Sequence, residues 1–82
     1  MDEATLESSL QEFLKDVLRL RIAPVERDAE LVADGHVDSM DLVRIAAHLE
    51  ELLDIEIPDD DVNDENFGSL ARTLQYCERA RS

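Results

Sequence analysis

Apolar residues recur at steps of three and four in three stretches of this chain, and no alternating run lasts long enough to found a sheet. That pattern asks for amphipathic helices, each burying one stripe. From Ala4 to Leu20 the stripe is Leu6, Leu10, Phe13, Leu14, Val17 and Leu18, separated by Glu7, Gln11, Glu12, Lys15 and Asp16. The spacing predicts a first helix with Asp2 or Thr5 as its cap. From Ser39 to about Leu53 a second helix is predicted, with Leu42, Ile45, Ala46, Leu49 and Leu53 facing the core and Met40, Val43 and Ala47 on a neighbouring stripe that is either peripheral core or a docking surface. Pro58 bars its continuation. One helical turn near Asp64 to Phe67 precedes Gly68. Ser69 then caps a last helix to about Arg79, on which Leu70, Leu74 and Cys77 share a face. The expectation is an all-α bundle of three main helices and one short one.

Between the first two helices the pattern lapses. Ala23-Pro24 stops regular structure, and Arg21 to Val37 shows no sustained period. This exceeds the roughly 12 to 15 residues beyond which structureless loops become uncommon, and such loops usually have a job. Leu31 and Val32, isolated amid charge, are expected to pin it to the core, so that it delivers Asp38 and Ser39 to one place. Ile55-Glu56-Ile57 alternates like a strand but is too short to pair.

At 82 residues the chain reads as a single domain over 1–82. A domain of this size buries only about 60 to 65% of its unfolded surface. Apolar residues make up 44% but aromatic ones only 4%, so the core must be aliphatic. One cysteine forms neither an internal disulfide nor a zinc site. The 21 acidic against 8 basic residues leave a formal charge of -13, a field of the wrong sign for nucleic acid or an anionic membrane. Macromolecular partners should instead present basic patches. No apolar run approaches the roughly 20 residues that span a bilayer, and Met1-Asp2-Glu3 lacks the start of a secretion signal. A cytoplasmic monomer is expected.

Ser39 carries the sharpest chemical suggestion. Its hydroxyl follows Asp38 at the start of the second helix, where free N–H groups and the positive dipole end favour an attached phosphate. Asp38 is a good cap, and the plain alternative is that the pair does nothing but start a helix. A hydrolase built from Ser39 and His36 is disfavoured, because residues three apart at a loop–helix junction rarely align as nucleophile and base. An EF-hand counted from Asp59 puts Asp64 where glycine is required and Leu70 where the bidentate glutamate belongs, so no metal site is expected. Cys77 falls on a buried face and reads as structural, and His48 falls on the outer face beside Arg44 and reads as exposed.

The stretch Asp34-Gly35-His36-Val37-Asp38-Ser39-Met40, together with Leu49-Glu50-Glu51 and Asp54-Ile55-Glu56-Ile57-Pro58-Asp59, resembles the acyl and peptidyl carrier proteins over nearly the whole chain. The resemblance implies a four-helix carrier bundle with a long first loop and no catalytic residue. It implies 4'-phosphopantetheine esterified to Ser39, with Asp38 as part of the attachment motif. It implies a phosphopantetheinyl transferase, a loading ligase and downstream transferases as partners. Docking would use Met40, Val43, Arg44, Ala47, Glu50 and Glu51 on the second helix, since between Ile45 and Ala71 there is no Lys or Arg against nine carboxylates. Fatty-acid carriers typically have an acidic residue where Arg44 stands, and Asn63 to Leu70 looks more like carriers of specialised or aminoacyl pathways. The alternatives are a fatty-acid carrier and, in another class, an acidic helical adaptor without a prosthetic group.

Overall fold

The computed structural model describes residues 1–81. Its elements are α1 (Glu3–Asp16), α2 (Ser39–Leu53), a 3-10 turn (Asp59–Asp61), α3 (Asp64–Phe67) and α4 (Leu70–Arg81), with no strand among the described residues. The all-helical bundle expected from the periodicity is present.

The stripes pack as their spacing requires. Leu6, Leu10 and Leu14 of α1 meet Leu42, Ile45, Ala46 and Leu49 of α2 and Leu70, Leu74 and Cys77 of α4 in one core, which also takes in the fully buried Phe67. Each fully buried leucine stabilises the fold by about 1.5 to 3 kcal/mol relative to an exposed one, so this shared interior, not helix propensity, holds the short helices.

Two helix ends differ from the sequence expectation. α1 stops at Asp16, not Leu20, because the N–H groups of Val17 and Leu18 both turn onto the Phe13 carbonyl and Arg19 enters the left-handed region at φ 59. The turn sends Leu18 and Leu20 against the core and leaves Val17, assigned by spacing to the buried face, 53% exposed. α4 runs on past Arg79 to Arg81, where two basic residues in the last turn complement the negative dipole end.

The long loop is stapled at several points. Gln11 of α1 grips Val25 with both ends of its amide, donating to the carbonyl at 2.7 Å and accepting from the N–H at 2.7 Å. Arg72 of α4 pairs with Glu30 at 2.7 Å, and the Leu31 N–H donates to the Gly68 carbonyl at 2.8 Å. The Arg27 carbonyl takes the Ala71 N–H at 2.9 Å, while Ser69 Oγ takes that of Arg72, so two of the orphan donors at the start of α4 are satisfied, one by the loop and one by the cap. Leu31 is buried and Val32 half-buried, as expected of the loop's pins; Val25 and Val37 are further anchors. Gly68 has a packing reason: a β-carbon there would run into the Asp64 carbonyl and side chain and into Arg72.

Candidate functional site

The loop ends in a tight turn around the Leu31 carbonyl, which accepts from the N–H of His36 at 2.8 Å and of Val37 at 3.0 Å. Gly35, at φ 79, takes the left-handed conformation that this turn needs. Val37 is buried two residues before Ser39 and fixes the entry to α2. Asp38 is extended, and its carboxylate accepts the Asp41 N–H at 2.9 Å while the Asp41 carboxylate accepts the Asp38 N–H at 3.2 Å. This reciprocal box confirms Asp38 as the cap and adds Asp41, which the sequence reading passed over although its three-residue spacing is the signature of such a box. It also spends one of the first-turn N–H groups that had been expected to be free for a phosphate. Ser39, the first residue of α2, is exposed.

The neighbouring stripe of α2 faces solvent. Met40 is 63% and Val43 52% exposed, and Ala47 is exposed beside them. Arg44 is exposed and lies 4.0 Å from Asp41, a surface pair of little energetic weight. Glu51 is exposed, but Glu50 turns inward: it is half-buried, and its Oε2 accepts the Ile57 N–H at 3.0 Å. The six docking candidates therefore divide into five on the surface and one that braces the chain after α2.

A cavity of about 240 Å³ opens beside Ser39, lined by Ser39, Val43, Ala46, Ala47 and Glu50 of α2 and by Ile57, Asp59 and Val62 of the following connection. The sequence reading did not find this arrangement, since it depends on how the connection folds back. Its far wall is held by the 3-10 turn, where the Tyr76 hydroxyl donates to Asp61 at 2.7 Å and the Asn66 side chain donates to the Asp61 carbonyl at 2.9 Å. Burial, reinforced by the bond to Asp61, pushes the Tyr76 phenol up to about 12.

Three other residues are placed as follows. His36 is exposed and lines a different depression, with Ile22 and Pro24, rather than the one at Ser39. Cys77 is fully buried, and burial pushes its thiol up to about 11, so it is inert packing. His48 departs from expectation: it is half-buried, stacks on Phe13 of α1 with ring centroids 4.4 Å apart, and sets Nε2 3.3 Å from Ser9 Oγ. Helical spacing placed it outside, but the approach of α1 covers it. Among the described residues no three His, Cys, Asp or Glu side chains converge to hold a metal ion, and no helix is long and apolar enough to cross a membrane.

The model of the phosphopantetheine attachment site family matches residues 8–74. An acyl carrier protein of Sulfurovum sp. is 41% identical over 64 residues, 76% of this chain and 83% of that protein. An acyl carrier protein of Clostridium perfringens is 31% identical over 67 residues, 82% of this chain and 86% of its own. One from Buchnera aphidicola is 25% identical over 71 residues, 87% of each. This chain belongs to the acyl-carrier type of the phosphopantetheine attachment family. It is a carrier whose covalent prosthetic group is 4'-phosphopantetheine, and it is not an enzyme.

Proposed function

We propose that Ser39 is the attachment residue of one carrier domain spanning 1–82, working in the cytoplasm in a specialised biosynthetic or aminoacyl pathway rather than in fatty-acid synthesis. The observation that carries the attachment is an exposed hydroxyl at the first residue of a 15-residue helix, inside the matched segment, with a cavity beside it. These residues fit the group: the hydroxyl is open to a transferase, and Val43 and Ala47 offer an apolar surface next to it. Bound, the group supplies a thiol that holds cargo as a thioester, from which a thiolate leaves readily.

The chain's own part is to present the nucleophile. A phosphopantetheinyl transferase with its own base and Mg2+ would direct Ser39 Oγ onto the pyrophosphate of coenzyme A. The serine gains a P–O bond, the anhydride P–O bond to adenosine 3',5'-bisphosphate breaks, and the hydroxyl proton passes to the transferase's base. Asp38 acts here through the backbone: its carboxylate is committed to the cap, which fixes where α2 begins and hence where the hydroxyl points. Tethering then raises the cargo's effective concentration at a docked enzyme to the order of mM.

Docking on Met40, Val43, Ala47 and Glu51 suits enzymes with basic surfaces, including the loading ligase, because a one-sign field speeds encounter without requiring tight binding. Arg44 supports the specialised reading. It is the one Lys or Arg between Arg27 and Arg72, and an enzyme surface that is basic throughout would repel it.

Mass spectrometry after incubation with coenzyme A, Mg2+ and a broad-specificity transferase tests the attachment. The native chain gains one phosphopantetheine and Ser39→Ala gains none; a gain by the variant would move the site elsewhere.

A further inference from the structure

Where α1 gives way to the long loop the chain carries three of its 8 basic residues, Lys15, Arg19 and Arg21, against the single Asp16. None of the three pairs with a carboxylate among the described residues, whereas Arg27 and Arg72 are both held in ion pairs. On a chain of formal charge -13 this is a basic edge left open. The turn that ends α1 aims it outward. Leu18 and Leu20 pack against the core, so the residues that alternate with them, Val17, Arg19 and Arg21, are exposed. The Leu20 N–H returns to the Leu14 carbonyl at 3.0 Å, a closure in which the left-handed residue is usually glycine. Here that residue is Arg19, at φ 59, so the fold accepts a strain that glycine would remove.

Val17 also lines a groove of about 290 Å³ between the end of α1 and α2, with Phe13 on its own side and Arg44, Ala47, His48 and Glu51 on the other. Lys15 and Arg19 stand two residues to either side of Val17, within about 7 Å of it along the backbone. Arg44 meets Asp41 only at 4.0 Å, and its side chain is 61% exposed. Along α2 it lies about 7.5 Å from Ser39, whereas Glu51 lies about 18 Å away, so the cationic part of the groove is the part nearer the attachment residue. We infer that this groove and its basic border are a second docking surface, separate from the acidic end of α2, for a protein partner whose own surface is acidic and seats an apolar side chain against Val17 and Ala47. Charge complementarity names the occupant. Over a Debye length of about 8 Å at physiological ionic strength, a compact carboxylate cluster senses Lys15, Arg19 and Arg44 rather than the net charge of the chain. A nucleic acid or an anionic membrane extends past that range and meets the acidic remainder, and a second copy brings another formal charge of -13. The inference stands whichever hydroxyl carries the prosthetic group.

Two alanine-rich peptides of about 18 residues, long enough to be helical in water, test it. Both carry the same leucine stripe, bordered in one by glutamates and in the other by lysines. Each is titrated into the full isotope-labelled chain while backbone amide shifts are followed. The glutamate peptide is expected to move the amides of Val17, Arg19, Arg44 and Ala47, with an affinity that falls as salt is raised, and the lysine peptide those around Glu51 and Asp54. Arg19→Glu combined with Arg21→Glu should weaken the glutamate peptide by about tenfold and leave both the lysine peptide and phosphopantetheine transfer unchanged. Arg19→Gly separates contact from fold: relief of the left-handed residue should raise the urea midpoint while the glutamate peptide still binds more weakly. Glutamate-peptide shifts that are absent, spread evenly over the chain or matched by the lysine peptide at Val17 and Arg19 overturn the inference, as does an affinity that neither variant changes. Phosphatidylglycerol vesicles that move the same amides as strongly at about 0.15 M salt overturn it in favour of a membrane. Shifts of these amides when the chain alone is diluted overturn it in favour of a second copy. Should the double variant unfold, the two peptide maps on the native chain decide.

Discussion

The two ends of α2 obey opposite electrostatics. At the N-terminal end Asp38 and Asp41 lie where the helix dipole is positive, and each carboxylate also accepts a backbone N–H. At the C-terminal end Glu50, Glu51 and Asp54 crowd the negative pole with no basic residue in the last turn. Asp54 further adopts the left-handed conformation at φ 54, one that aspartate tolerates better than most residues but glycine would take without strain. An exposed carboxylate in that position costs about 0.3 to 1 kcal/mol at low ionic strength. The first end is arranged to hold Ser39 in place. At the second, Glu50 braces the chain through the Ile57 N–H, whereas the exposed Glu51 and Asp54 weaken their own helix, which is intelligible if they serve enzymes that approach from outside.

The comparison breaks first, and by the largest amount, at Gln11. Its side chain satisfies both backbone groups of Val25 inside the loop that leads to Ser39, at a residue only 4% exposed. Gln11→Ala leaves a buried donor and a buried acceptor unpaired, and is expected to lower unfolding stability by about 2 kcal/mol or more, read by urea denaturation. A wild-type midpoint would mean that the loop is not what fixes the serine end. Asp38→Ala should cost about 1 kcal/mol through the lost cap, with Asp38→Asn recovering most of it because an amide oxygen still accepts from Asp41. Equal losses for the two variants would show that charge, not the hydrogen bond, matters there.

The opposite end sharpens the contrast by moving in the other direction. Glu51→Lys replaces an unfavourable charge with a favourable one near the negative pole, so the variant should be more stable by about 0.3 to 1 kcal/mol. The same change should slow loading of the holo form by its partner enzyme, and the difference should shrink as salt is raised. A variant both more stable and fully functional at low salt would remove the reason offered for the acidic end.

The serine end was also the more legible in the sequence. Leu42, Ile45, Ala46 and Leu49 announce the helix by spacing, and Asp38 announces its start, because caps and stripes are local codes that a few neighbouring residues write in full. The turn Asp64–Phe67 was readable for the same reason, though the burial of Phe67 was not. What escaped was set by residues distant in sequence. The Gln11 clamp joins positions 14 apart, the Tyr76 bond to Asp61 joins positions 15 apart, and the cavity needs α2 and the later connection together. Nothing local marks Gln11 among the polar residues of α1, and Glu50 looks like Glu51 until Ile57 folds back onto it. The end of α1 was misjudged because its apolar pattern continues past Asp16, whereas Leu18 and Leu20 reach the core only after the backbone has turned at Arg19.

His48 lies between the two ends and tests how firmly α1 covers the middle of α2. Burial against Phe13 and Ser9 lowers the imidazole below its ordinary value, and the charge of Glu51 partly opposes this. The folded chain therefore binds fewer protons at this site than the unfolded chain, whose histidine titrates near about 6.5. The sign follows: the contribution is intact above that value, declines as pH falls below it, and levels off once the folded imidazole is itself protonated. Between about pH 7.5 and about pH 5.5 the native protein should lose more stability than His48→Gln, and the difference between the two isolates this ring from the many carboxylates. Glu51→Lys should lower the imidazole further by removing the opposing charge, which a proton-resonance titration reads directly. Parallel stability curves for native protein and His48→Gln, or a ring that titrates normally, would mean that α1 opens readily here and that only the capped start of α2 is rigid.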